Sequence, residues 1–322
     1  MQNRLTRRAV VGIAGAALAA RVRSSPAQSR APLFSYPVGL PDRVLGDGFI
    51  VRHGYATENT WYNPNWLHAG EDWYVLDGDT AGIGVFAAAA GEVVYAGSEY
   101  PGRVVIVRHA ADLYSMYGHL DDGLPVASGD RVERGDPIGT VLPRTDGRAP
   151  SHLHFEMRTF LTTAEVNGSA PRYGVACGYD CPPGPGYWPI DAPEHPSAMG
   201  WRNPTHVIGG RAELPSGAET VVAESAGEAA DIWTAPQGDD GAERLGRLPL
   251  ATGDRYPLLT IDAGAEATEG TSAESVRLWY RIAMADGEFA WVRAAVSSDW
   301  DIGSDGRPSS VMFNFLPALA PI

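Results

Sequence analysis

The chain has no lysine; all 25 of its basic residues are arginine, from which no function follows. Acidic residues outnumber them, 39 to 25, for a formal net charge of −14. Nucleic acid and anionic membrane surfaces both need a cationic footprint, so neither is an expected partner. Cysteine is nearly absent. Cys177 and Cys181, in a C-x3-C spacing, are too few for a thiolate zinc site. Outside the cytoplasm such a pair reads as a disulfide. No run of apolar residues is long enough to form a permanent membrane span. H-E-x-x-H is missing too, and with it the glutamate base of that metal-site type. Persuasive helical periodicity is lacking. The 38 glycines and 25 prolines, set among short apolar runs, favour β structure with many turns.

The N-terminus reads as a targeting segment. Thr6-Arg7-Arg8 precedes the apolar run Ala9 to Ala20, and Ser25-Pro26-Ala27 offers small residues for cleavage. Residues 1–27 are therefore expected to be a twin-arginine signal that exports the folded chain to the cell wall, periplasm or exterior. Removing them leaves 20 arginines against 39 acids, a net charge of −19.

Residues 28–46 form a Pro-rich lead-in. From Asp47 to about Phe160 the chain runs through short strand-like segments: 84–88, 91–96, 103–109, 113–117 and 138–142. Ser128-Gly129-Asp130 and Arg134-Gly135-Asp136 read as turns between them. The expectation is an antiparallel β domain over 47–209, with a Cys-containing C-terminal extension rich in Pro, Gly and aromatics. Residues 210–217 read as a linker. Strand-like runs at 232–236, 258–261, 278–282 and 289–292 point to a second, small β domain over 218–300, and 301–322 is left as a C-terminal tail. The fold class expected is all-β.

Chemistry concentrates in three places. His152 and His154 flank Leu153 in a strand-like run, and alternate strand residues face the same way. His68 and Asp72 form an H-x3-D pair, able to reach one ion from either an extended or a helical chain. His119 lies in Tyr117-Gly118-His119-Leu120. Imidazole and carboxylate are the ligands of zinc sites that keep one position open for water. Glu156, two residues past His154, is read as a partner for a ligand imidazole. A cupin arrangement is disfavoured because Glu156 follows the histidines too closely. His109 is read as structural, and Asp77-Gly78-Asp79 as a solvated turn rather than a calcium loop.

These motifs, in this order, resemble the LytM/lysostaphin-type zinc endopeptidases, as do Ala-Ala-Gly-Glu-Val-Val-Tyr-Ala-Gly at 89–97 and Val-Glu-Arg-Gly-Asp-Pro-Ile-Gly at 132–139. The resemblance covers roughly residues 45–160. It implies an antiparallel β-sheet peptidase domain that cuts peptide bonds in bacterial peptidoglycan. It implies one Zn2+ per chain, held by His68, Asp72 and His154, with His119 and His152 as catalytic histidines. Some relatives act only as activators of other wall enzymes, having lost ligands; all five positions are intact here. The 218–300 part resembles a bacterial SH3-like domain, on Ile232 to Pro236, Gly253, Trp279-Tyr280-Arg281-Ile282, Gly287 and Trp291-Val292. That implies a small β-barrel that binds cell-wall peptide.

Overall fold

The computed structural model describes residues 34–97, 102–166, 186–210, 219–225, 228–263 and 278–321. The expected signal segment 1–27, the Cys177–Cys181 pair and most of the linker lie outside them. Among the described residues the chain is almost wholly antiparallel β, as expected, with one short helix.

A ten-stranded sheet carries the candidate site. Its main path runs Arg131–Val132, Gly91–Gly97, Arg103–Ala110, Leu113–Leu120, Leu153–Arg158, Glu71–Val75, Phe49–Arg52, Pro308–Phe313, Ala295–Ile302. Trp201–Arg202 pairs along the far end of Leu153–Arg158. The two turns read from the sequence are tight turns. Gly129 and Gly135 sit at φ +99° and +87°, a region other residues rarely adopt. Asp130 and Asp136 accept the backbone N–H of Ala127 and Glu133 across them.

Strand Leu153–Arg158 is buried along its whole length. Period-2 alternation sends Leu153, Phe155 and Met157 into the main apolar core. The opposite face carries His154, Glu156 and Arg158. A second apolar cluster, with Tyr55, Ala69, Phe160, Trp188 and Trp201, lies on the other side of the sheet. Residues 186–202 supply four of its nine members, Trp188, Ala192, Met199 and Trp201, so this part of the extension is a cover and not a free loop. That cover holds strand Tyr187–Pro189, which pairs with Asn63–His68, and it leads into helix Pro204–Gly210. No helix is expected there from the sequence. Its signal is local: Pro204 opens the helix, and Asn203 Oδ1 accepts the His206 N–H at 3.1 Å.

Strands from 219 to 321 make a seven-stranded antiparallel sheet whose last member, Phe315–Pro321, pairs with Glu219–Ser225. Just before it, the hairpin of Ala295–Ile302 and Pro308–Phe313 joins the first sheet, with Val311 opposite Val51. One apolar core then runs through both sheets, from Val51, Trp73 and Phe155 to Leu278, Tyr280 and Phe315. Phe313 stacks on Trp73 at 5.3 Å between ring centroids.

Candidate metal centre

His68 is the last residue of Asn63–His68, and Asp72 the second of Glu71–Val75. The chain changes sheets between them, at Ala69-Gly70. A Cβ on Gly70 would collide with the Phe155 carbonyl oxygen and press on Glu156 Cγ, so only glycine lets this turn lie against strand Leu153–Arg158. Asp72 stands directly opposite His154 in the ladder. His152 immediately precedes the strand and reaches the same carboxylate.

Three ligand atoms converge. His68 Nε2 is 3.3 Å from Asp72 Oδ1, His154 Nδ1 is 3.2 Å from the same oxygen, and the two ring nitrogens are 2.9 Å apart. Ligand atoms about 2.1 Å from a tetrahedral zinc stand about 3.4 Å from one another. The spacing therefore suits such an ion, and the tautomers agree. His68 Nδ1 donates to the His53 carbonyl at 2.5 Å, which turns the bare Nε2 toward Asp72. His154 Nε2 donates to Glu156 Oε1 at 2.9 Å, which turns Nδ1 the same way. Glu156 Oε2 accepts Trp201 Nε1–H at 2.9 Å and faces Arg158 Nε at 3.6 Å.

The electrostatics ask for a cation. Burial pushes the His154 pKa down, but Asp72 and Glu156 outweigh it and carry the pKa up to about 9. The carboxylate pair would favour a metal ion in place of a proton on Nδ1 for the same reason. Burial raises Asp72; interaction with the His68 and His152 imidazoles and the His154 hydrogen bond more than offset that, holding it well below the usual carboxylate range.

The other two histidines stand alongside. The His119 ring lies 4.8 Å from His152, nearly perpendicular to it, and 6.0 Å from His154. His152 Nδ1 donates to the Pro150 carbonyl at 2.8 Å, leaving Nε2 3.7 Å from Asp72 Oδ1. Burial lowers the His152 pKa more than Asp72 raises it, so its ring is neutral at neutral pH. Exposure falls from 7% at His119 and 5% at His152 to 0% at His68, so the cluster opens on the His119–His152 side. His119 sits at φ +60°, a bend near the end of Leu113–Leu120.

All five residues named from the sequence thus meet in one cluster, and Glu156 contacts His154. His109 lies apart, its nitrogens engaged by the Ala90 carbonyl and Ser115. Asp77 to Asp79 is an exposed bend. Tyr74, two residues past Asp72 on the same strand face and readable from the sequence as a candidate cleft aromatic, stacks on His152 at 5.0 Å. Sequence reasoning missed two contributors: Trp201 holds Glu156, and His53 lends its carbonyl.

Among the described residues, no helix is long and apolar enough to cross a membrane. The model of peptidase family M23 matches residues 67–168. Lipoprotein NlpD of Yersinia enterocolitica is 38% identical over 76 residues, 23% of this chain and 75% of that protein. The chain belongs to peptidase family M23. Murein hydrolase activator NlpD of Escherichia coli is 37% identical over 79 residues, 24% of this chain but 20% of that protein. The match spans from 13% to 37% of the first curated relatives' length. Among solved structures, the antimicrobial peptidase lysostaphin from Staphylococcus simulans aligns over 83% of this chain and 94% of that one, at 15% identity and a TM-score of 0.32.

Proposed function

We propose that this chain is an exported zinc-dependent endopeptidase that hydrolyses peptide bonds of bacterial peptidoglycan, in the stem peptide or cross-bridge. The convergence of three buried ligand atoms beside two further histidines carries the reading. His68, Asp72 and His154 would hold the ion. When bound, zinc supplies Lewis acidity toward a water and the scissile carbonyl. His152, with Nδ1–H fixed on the Pro150 carbonyl, offers Nε2 as the base that takes the water's proton. His119 faces it across the open side and donates to the oxyanion that develops on the carbonyl oxygen. The proton held by His152 then passes to the leaving amine. The twin-arginine segment 1–27 accounts for export, and the SH3-like part over 218–300 would bind the chain to wall peptide.

Digestion of purified peptidoglycan, followed by mass spectrometry, tests this. New free amino termini are expected, and a chelator should abolish them. His119→Ala should cost about 10²–10⁴ in rate while zinc content stays stoichiometric; His154→Ala should lose the zinc. A full rate in His119→Ala would remove that histidine from the mechanism.

A second reading has one observation behind it: the Escherichia coli relative is named a murein hydrolase activator. On that reading the chain keeps the fold and cuts nothing. Stoichiometric zinc with no peptide released from any wall preparation would favour it.

A further inference from the structure

The C-terminal hairpin, Ala295–Ile302 with Pro308–Phe313, reaches the metal centre through two neighbours of one strained residue. His53 is buried and sits at φ +50°, a conformation that in a non-glycine residue persists only where its surroundings hold it. Its carbonyl is the acceptor for His68 Nδ1–H. Both flanking residues are tied to the hairpin. Arg52 makes a forked ion pair with buried Asp301, Nε to Oδ2 at 2.7 Å and Nη2 to Oδ1 at 2.8 Å. Gly54 N–H donates to the Ser309 carbonyl at 2.7 Å. Asp301 is itself anchored: its N–H donates to Ser310 Oγ at 3.0 Å, and that hydroxyl donates to the Ser298 carbonyl. The same Arg52 guanidinium lies over the Tyr74 ring at 5.2 Å, and Tyr74 stacks on His152.

From this geometry we infer that Arg52 and Asp301 are positioning residues of the metal centre, so that the C-terminal hairpin sets the orientation of His68. The inference rests on the zinc reading above. A forked arginine–carboxylate pair fixes direction as well as distance. Releasing it frees residue 52, lets the backbone at 53 relax out of positive φ, and moves the carbonyl that holds the His68 tautomer. Partners that orient a metal ligand typically account for 10–100-fold in affinity.

The test is zinc affinity of the full chain, measured by competition with a chromophoric chelator well below the melting temperature, for wild type, Asp301→Ala, Arg52→Lys and His68→Ala. Asp301→Ala is expected to bind zinc at least tenfold more weakly while keeping its β-sheet circular dichroism. Arg52→Lys retains the charge but not the fork, and should fall between wild type and Asp301→Ala. A clamp that served stability alone would lower the melting temperature of the chelator-treated protein and leave affinity unchanged; wild-type affinity in folded Asp301→Ala or Arg52→Lys overturns the inference while leaving the zinc reading standing. If Asp301→Ala does not fold, Arg52→Lys decides alone, a loss supporting the inference and wild-type affinity overturning it. A wild-type chain that binds zinc no better than His68→Ala overturns both.

Discussion

At the residue scale, the same side chain serves opposite ends according to which of its nitrogens is held and by what. His68, His152 and His154 each have one ring nitrogen bound to an acceptor, the carbonyl of His53 or Pro150 or the carboxylate of Glu156, which decides what the other nitrogen offers. His109 shows the contrast, engaged at both nitrogens and away from the cluster. Burial pushes its pKa down to about 4. Above pH 6.5 the folded and unfolded chains both carry it neutral, and it leaves stability unchanged. Between pH 6.5 and 4 the unfolded chain takes up a proton that the fold refuses, so stability falls as pH falls, and below pH 4 the whole penalty applies. Because the ring is only partly covered, the full shift is discounted to about 2 kcal/mol. His109→Gln should therefore flatten the acid limb of the stability curve. The check is urea unfolding at pH 7 and pH 4.5; equal losses for variant and wild type between those two values would refute this account of His109.

At the element scale, strand Leu153–Arg158 with the residue before it explains most of the site. Its alternation was legible in the sequence: two histidines and a glutamate at i, i+2 and i+4 announce a polar face, and Leu153, Phe155 and Met157 announce an apolar one. The H-x3-D pair was legible as a spacing, though not as a turn between sheets. Trp201 was not legible at all. It stands 45 positions from Glu156, and no local pattern encodes which distant indole will cap a buried carboxylate. The polar face continues one step further, to fully buried Arg158, whose charge Glu156 faces. Removing the carboxylate therefore takes away the negative charge that faces buried Arg158 as well as freeing the His154 ring. Glu156→Gln is expected to destabilise the chain by about 3–5 kcal/mol. Trp201→Phe keeps most of the apolar volume and removes one hydrogen bond, so it should cost about 1–2 kcal/mol and reduce zinc affinity by no more than about tenfold. Thermal melts and chelator competition on the two variants give both quantities; a Trp201→Phe loss exceeding that of Glu156→Gln would show the cover, and not the carboxylate, to be the dominant contact.

At the scale of the whole molecule, composition divides the chain where the backbone does not. The shift to Ala, Glu, Gly and Ser after residue 210 suggests a linker between two separate β units. No strand was read in 301–322, because Pro308–Phe313 is short and the partner that fixes it, Phe49–Arg52, lies some 260 positions away in sequence. Pairing at that distance leaves no periodic trace. The consequence is physical. Phe313 packs on Trp73 and Tyr36, in a core that continues through Tyr280 to Phe315. Among the described residues, strand Phe49–Arg52 has its second edge covered only by this hairpin, and an uncovered edge invites pairing with other chains. Two domains on a flexible linker would unfold independently, giving two calorimetric transitions, and Phe313→Ala would shift at most one of them. A shared core predicts otherwise. Phe313→Ala should cost about 3–5 kcal/mol and move a single transition down by roughly 10 °C. Calorimetry, intrinsic tryptophan fluorescence and far-ultraviolet circular dichroism should then trace one curve. Deleting residues 219–322 should leave a chain that aggregates through the exposed edge at Val51. Two resolved transitions in the wild type, or a monomeric truncated chain with undiminished melting temperature, would separate the sheets into independent units.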